Sequence, residues 1–348
     1  MSKKLPAIQT HAIQPSSWNK NRLNGLLARH RGKKILVVGD IGLDRYTEGT
    51  VERISPEAPV PIVLVTEEKL KLGLAANVAD NIHALGGVPF LLGTVGRDRG
   101  AEDFRSLLRS SGILGSYLVT DSSRRTVLKD RVVSDRQQLL RIDYESQHAV
   151  DPKIEKRIRI KFRKLIEEVD GVVVEDYAKG LLSQNLLKSI FKIAKRAGKL
   201  VALDPNLKTP VENYRGAAIL TPNTKEAEHL SGVKIRDQAT LNEAGFSILR
   251  STRCQYIVIT LGKDGMAIFT RGSSEVRLIP TYAREVYDVS GAGDTVISVL
   301  MLSLVSGGSI EEASILGNLA AGIEVGKRGT ATVTPEEIRG ALDFFDSV

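Results

Sequence analysis

Short runs of apolar, mostly β-branched residues punctuate the chain at 35–38, 172–174, 200–203, 217–220 and 257–260. Unbroken apolar character over so few positions predicts strands buried on both faces. Between and after these runs the period lengthens to that of a helix at 75–85, 103–111, 152–168, 183–197, 224–230 and 239–249, and an almost wholly apolar helix is expected at 295–305. This alternation predicts an α/β fold of three layers, a mostly parallel central sheet with helices on both faces. Ligands in such folds gather at the carboxyl ends of the strands.

Two stretches, about 45–67 and 115–143, break the pattern. Residues 61–65 and 126–133 alternate with period 2, so they read as strands of a small β-sheet inserted into the main fold, a lid or a dimer surface. Pro56, Pro59 and Pro61 suit its edges and turns. Ile62, Leu64 and Val133 would lie exposed on a monomer, which predicts a homodimer through the lid strands. Ahead of the first strand, residues 6–17 read as a flexible leader, followed by a short helix through Leu23, Leu26 and Leu27. The expected division is therefore 1–33, basic leader and helix, and 34–348, the body of the fold.

Charge changes the picture only locally. The 348 residues carry 49 Lys and Arg against 41 Asp and Glu, a net +8. Residues 1–34 hold the whole excess, with Lys3, Lys4, Lys20, Arg22, Arg29, Arg31, Lys33 and Lys34 and no acid. The rest balances and aromatic residues make up only 5 %, so no nucleic-acid partner is expected. No membrane partner is expected either, because the apolar stretch 296–305 is broken by Ser298 and Ser303 and falls short of the roughly 20 residues of a bilayer span. A lone Cys254 and the lack of an apolar secretory core predict a cytoplasmic protein. The five histidines and the lone cysteine show no metal-ligand spacing, so no zinc site is expected.

The sharpest chemical signal is Asp288-Val289-Ser290-Gly291-Ala292-Gly293-Asp294, running directly into the apolar helix. Gly291, Ala292 and Gly293 at a helix start leave backbone N–H groups and the positive helix end facing outward, an anion hole suited to a phosphoryl group in transfer. Asp294 in the first turn is placed to take a proton from an attacking hydroxyl, or else merely to complement the helix dipole. No Gly-Lys pair is followed by Ser or Thr, which excludes a Walker A loop.

These residues resemble the C-terminal signature of the ribokinase-like (PfkB) carbohydrate kinases, and the likeness spans nearly all of 34–347. The resemblance implies a three-layer ribokinase-like fold with a small β-sheet lid, ATP as phosphoryl donor and Mg2+, with a monovalent-cation requirement left open. It implies sugar contacts by Asp40, Asp44, Gly73 and Asn77. It implies ATP binding by Asn223, Thr224, Lys225 and Glu226, with Asn223 and Glu226 acting indirectly on magnesium, by Thr260, Gly262 and Gly265 along the nucleotide, and by Asn318 near the adenine. Leu74 stands where the family usually has a second glycine, and Asp204-Pro205-Asn206-Leu207-Lys208 replaces Asp-Pro-Lys-Gly.

Within the family, Arg53-Ile54-Ser55-Pro56-Glu57-Ala58-Pro59-Val60-Pro61, Asp176-Tyr177-Ala178-Lys179-Gly180 and Glu285-Val286-Tyr287-Asp288-Val289 resemble the heptose 7-phosphate kinases of ADP-heptose synthesis. That likeness implies transfer to the anomeric hydroxyl, giving a 1,7-bisphosphate for the lipopolysaccharide core. The nucleotidyltransferase histidine signature is not seen, so a stand-alone kinase is expected, its product passing to a separate phosphatase and nucleotidyltransferase. A phosphorylated sugar needs cationic anchors. Lys179 is the first candidate, then Arg141, Arg131 and Lys129 of the lid. A kinase for another sugar, sugar phosphate or nucleoside is the same-fold alternative, and a basic non-catalytic binding protein the alternative of a different class.

Overall fold

A computed structural model describes residues 8–113, 117–134, 137–282, 286–327 and 329–344. Lys3 and Lys4, the first residues of the 115–143 insert, and Glu285 lie outside them. The first half of the chain comprises β1 (Gln9–Ala12), α1 (Lys20–Arg29), β2 (Lys34–Gly39), β3 (Ile41–Ile54), β4 (Pro61–Leu74), α2 (Ala75–Ala84), β5 (Val88–Leu92) and β6 (Thr94–Val95). It continues through α3 (Arg99–Ser110), β7 (Val119–Thr120), β8 (Val127–Ser134), β9 (Gln137–Tyr144), α4 (Pro152–Leu165), β10 (Gly171–Glu175) and α5 (Gln184–Arg196). Then come β11 (Leu200–Asp204), β12 (Ile219–Leu220), α6 (Thr224–Ser231), α7 (Gln238–Thr252), β13 (Tyr256–Thr260), β14 (Met266–Thr270) and β15 (Glu275–Ile279). Helices α8 (Ala292–Val305), α9 (Ile310–Glu324) and α10 (Pro335–Phe344) complete the order.

The main sheet runs β1-β15-β14-β13-β12-β11-β10-β2-β5. Every neighbouring pair is parallel except β13 with β14 and β14 with β15. The apolar runs fall in its centre because their alternate residues feed two separate cores. Ile35 and Val37 of β2 join one side with α1, α2, α8 and α9, while Leu36 and Val38 join the other with α4 and α5. Helix α8 is apolar all round because it is enclosed between the sheet and α9, as a helix without a solvent face must be. Its buried hydroxyls are bonded, Thr295 to Asn81 at 3.1 Å and Ser298 to the Asp294 carbonyl at 2.6 Å.

The expected lid is a separate sheet in the order β4-β3-β8-β9. It is larger than the sequence pattern suggested. Only Asp40 separates β2 from β3, and β4 runs to the first residue of α2, so the insert spans 41–74 rather than 45–67. The second insert contributes β8 and β9, whereas β7 pairs with β6 in a separate two-stranded sheet. Pro61 opens β4, and Pro56 and Pro59 lie in the turn before it. Of the apolar residues expected on the lid surface, Leu64 is 63 % exposed while Ile62 and Val133 are half-buried; Leu140 at 56 % and Ile142 at 37 % are exposed on β9, the other edge strand of the lid.

The leader is a correction. Residues 9–12 are not free but add β1 to the edge of the main sheet, parallel to β15, and Ile13 N–H continues the pairing to the Leu278 carbonyl at 2.7 Å. Trp18 is buried edge-on against Tyr282 with ring centroids 5.1 Å apart. Helix α1 buries Leu23, Leu26 and Leu27, and Arg22 bonds Glu312 at 3.0 Å and the Gly307 carbonyl at 2.7 Å. The open edge of β15 supplies partners that a segment of Gln, Thr and His can use through its backbone alone, which no side-chain period reveals.

Candidate active site

The carboxyl ends of β2 and β10 meet the N-terminus of α8 beneath the lid, and the residues expected to carry chemistry largely converge there. The elbow before α8 turns on an Asp288 carboxylate that accepts Ser290 N–H at 2.9 Å. Gly291 has φ +102°, a conformation side-chain-bearing residues rarely adopt, and a Cβ there would lie 3.1 Å from the Asn77 amide nitrogen. The helix begins at Ala292, one turn earlier than its apolar period, so Asp294 sits in the first turn. The N–H groups of Gly293 and Asp294 meet no acceptor among the described residues, as a helix N-terminus requires.

Asp294 is buried and doubly bonded. Asn77 donates to its Oδ2 at 2.7 Å and the Tyr177 hydroxyl to its Oδ1 at 2.8 Å. Burial pushes its pKa up to about 6, against the lowering effect of those two bonds and of nearby Lys129. Asn77 therefore lies where it was expected, but with its amide on Asp294. Tyr177 is a residue that the motif around Lys179 contained and residue chemistry did not single out.

Above this pair lies the inner face of the lid. Register places Asp44 and Tyr46 of β3, Lys71 of β4 and Lys129 and Arg131 of β8 on one face. Asp44 pairs with Arg131. A Cβ at Gly73 would lie 2.5 Å from Asp44 Oδ2, so only glycine lets that carboxylate stand there. Arg131 and Lys71 cover the Tyr46 ring at 5.3 and 5.7 Å, and Lys129 covers the Tyr177 ring at 5.5 Å. Burial holds the Lys129 ammonium below its usual range, and among the described residues it has no carboxylate partner in an ion pair.

Three expected substrate contacts have other partners. Asp40 accepts Lys179 N–H at 2.9 Å and Leu181 N–H at 3.3 Å, so it shapes the loop after β10; burial raises its pKa to about 6. Lys179 Nζ pairs with Glu145 at 2.6 Å, a partner contributed by the end of the lid that sequence spacing could not reveal. Arg141 lies on the outer lid strand, half exposed, forked onto Asp143 at 2.8 and 2.9 Å.

The other half of the site lies at the ends of β11, β12 and β13. Asn223 and Glu226 form a capping box at the start of α6, each side chain bonding the other's backbone N–H at 3.0 and 2.9 Å. The cap accounts for their spacing without a metal. Thr224 Oγ1 bonds the Thr260 carbonyl at 3.3 Å, which brings the two segments side by side, with Lys225 exposed beside them. Gly262 and Gly265 bracket the turn from β13 to β14. Asn318 is buried, its amide donating to the Pro280 carbonyl at 2.6 Å, so it ties α9 to the end of β15 instead of presenting a free amide to a base. Three carboxylates not foreseen as a group lie between the halves. Glu175 is fully buried with neither oxygen hydrogen-bonded, Asp204 accepts from Thr221 at 2.9 Å, and Glu226 faces them; burial and their mutual repulsion raise Glu175 and Asp204 well above the ordinary carboxylate range.

Comparison with known proteins settles the family. Residues 33–337 match the model of the pfkB family carbohydrate kinases. The chain belongs to that family. This carbohydrate kinase is 42 % identical over 325 residues to the bifunctional protein HldE of Geobacter sulfurreducens and 43 % identical over 308 residues to that of Helicobacter hepaticus. Those matches take in 93 % and 88 % of the chain but 66 % and 63 % of the relatives, so the kinase spans just under two thirds of their length. Its fold is that of a putative ribokinase from Agrobacterium tumefaciens, with a TM-score of 0.73 at 22 % identity over 91 % of this chain and 99 % of that one. It also matches Arabidopsis thaliana ribokinase complexed with ribose and ATP, with a TM-score of 0.71 at 19 % identity over 90 % and 99 % of the two chains. Among the described residues no helix is long and apolar enough to cross a membrane.

Proposed function

We propose that this kinase transfers the γ-phosphoryl group of ATP to the anomeric hydroxyl of D-glycero-β-D-manno-heptose 7-phosphate, giving the 1,7-bisphosphate, in the ADP-heptose branch of lipopolysaccharide synthesis. The observation that carries the reading is the stacking of a cationic lid face directly over a buried carboxylate at a helix N-terminus. The likeness to the HldE relatives and the heptose-kinase-like strings support the choice of sugar.

In this reading Asp294 removes the hydroxyl proton as the sugar oxygen bonds to the γ-phosphorus and the bond to the departing ADP breaks. Asn77 and Tyr177 aim its two oxygens and favour the ionised form, so it is a competent base at neutral pH. The N–H groups of Gly291, Gly293 and Asp294 and the positive end of α8 stabilise the transferring group, whereas the Ala292 N–H of the expected anion hole is turned to the Val289 carbonyl at 3.5 Å. Asp44 orients sugar hydroxyls, held upright by Arg131. Lys129 is the first anchor for the distal phosphate, since Lys179 and Arg141 already have carboxylate partners; Lys179 joins when the Glu145 pair opens. Asp40 acts indirectly, by fixing the loop that carries Lys179.

Thr224, Lys225, Thr260, Gly262 and Gly265 border the nucleotide. No three carboxylate or imidazole side chains converge to cage a metal among the described residues. The orphaned Glu175 carboxylate, with Asp204 and Glu226 beside it, nevertheless suits a hard divalent cation that keeps water and phosphate ligands, as Mg2+ does. Mg2+ there would neutralise charge on the phosphates. Exposed Leu64, Leu140 and Ile142 support a homodimer joined through the lids.

A panel of sugars, sugar phosphates and nucleosides with ATP and Mg2+ tests the reading. Preference for heptose 7-phosphate is expected; preference for an unphosphorylated sugar or a nucleoside would transfer the chain to the same-fold alternative.

A further inference from the structure

The charge balance of residues 35–348 conceals a one-sided surface. Helices α4 and α5 pack side by side on the face of the sheet remote from α8, and together they carry eleven Lys and Arg against one acid, Glu155. Helix α4 buries Ile158, Phe162 and Leu165, so the helical period turns Lys153, Lys156, Arg157, Ile160, Arg163 and Lys164 outward. Helix α5 buries Leu186, Leu187, Ile190, Phe191 and Ala194 and turns out Lys188, Lys192, Lys195 and Arg196. Among the described residues none of these nine cations pairs with a carboxylate. Glu155 is turned aside, bonding Ser183 at 2.7 Å. The other acids at the ends of α4 are its cap Asp151, which accepts the Lys153 backbone N–H at 2.7 Å, and Glu167 and Glu168 beyond its C-terminal end.

We propose that this two-helix face docks on an anionic lipid bilayer as a peripheral contact, so that the kinase works at a membrane surface without entering it. Nine ammonium and guanidinium groups without a carboxylate partner, facing one way, repel one another in solution and gain from a negatively charged plane. The face is made of two adjacent helices, broad where a nucleic-acid groove needs one protruding element, and its outward stripes hold no aromatic ring on which a base could stack. In the middle of the α4 stripe stands Ile160, 46 % exposed, an apolar side chain of the kind that settles between headgroups when basic residues hold a helix flat on a membrane. The site at the carboxyl ends of the strands is separate from this face, so docking leaves it open.

The test is sedimentation of the purified chain with vesicles of phosphatidylcholine alone or with about one third phosphatidylglycerol, at low and at physiological salt. Binding to the anionic vesicles only, weakening as salt rises, is expected. The triple reversal Lys156→Glu, Arg163→Glu, Lys192→Glu should lower the partition coefficient by about tenfold or more. Its circular dichroism and its turnover without vesicles should stay at wild-type values. Reversal of three cations on the opposite side, Arg31→Glu, Arg99→Glu and Arg109→Glu, should cost far less. Equal binding to neutral vesicles, indifference to the first triple reversal, or binding of a short RNA duplex where anionic vesicles fail would overturn the proposal.

Discussion

The Tyr177 hydroxyl donates to Asp294 Oδ1 at 2.8 Å, and the same ring lies beneath the Lys129 ammonium at 5.5 Å. One side chain thus joins the loop after β10 to the helix N-terminus and to the lid, so closure of the lid is felt at the proposed base. Replacing Tyr177 by Phe keeps the ring and removes the donor. A donor favours the ionised carboxylate, so its loss should raise the Asp294 pKa further above its present value of about 6. The acid limb of the kcat profile should move to higher pH, with turnover lost chiefly below neutrality and recovered as pH rises. A profile superimposable on wild type would separate Tyr177 from the base.

Asp294→Asn tests the base itself. The amide preserves shape and the contact with Asn77 but cannot take a proton. Turnover should fall by roughly a hundredfold to ten-thousandfold, with ATP affinity and melting temperature little changed. Near-normal turnover would reduce Asp294 to a residue that complements the helix dipole.

Lid cations differ in what already holds them, and this sets the order of their effects. Lys129→Ala should raise KM for the sugar phosphate by roughly tenfold to a hundredfold, the equivalent of a charge-assisted hydrogen bond of about 1.5–3 kcal/mol, and leave KM for ATP near wild type. Arg141→Ala should do least, because its guanidinium is exposed and forked onto Asp143. Steady-state kinetics that rank Arg141 above Lys129 would place the distal phosphate elsewhere.

Leu74, at the junction of lid and body, is buried at φ +57° and ψ −140°, backbone space that favours glycine. Holding a leucine there costs on the order of 1–3 kcal/mol. Leu74→Ala loses the buried side chain and keeps the strain, whereas Leu74→Gly loses the side chain and relieves it. Denaturant unfolding should therefore find the glycine variant more stable than the alanine one, the reverse of the usual order within folded elements.

The segment ahead of the first central strand is part of the fold. Trp18→Ala should destabilise the chain by about 3 kcal/mol, as truncation of a large buried aromatic does, and deletion through Asn19 by at least as much. A truncated chain with unchanged unfolding would restore the picture of a free leader.

The central sheet was legible because a strand covered on both faces has no polar alternative at any position, so 35–38, 172–174 and 200–203 announce themselves locally; α8, apolar on every side, does so as well. The elbow was legible because its glycines answer to a backbone conformation, φ +102° at Gly291, that few other residues adopt. Edge pairing is different. Strand β1 rests on backbone hydrogen bonds to β15, more than 260 residues away, and carries no hydrophobic signature of its own. The partners of polar side chains were likewise decided by tertiary structure. Capping is local, so the Asn223 and Glu226 box is written in their spacing, but whether Lys179 meets a phosphate or Glu145 depends on where the lid folds back. The same holds for charge: a sequence sums cations and acids along the chain, while only the packing of α4 beside α5 turns nine of the cations to one side.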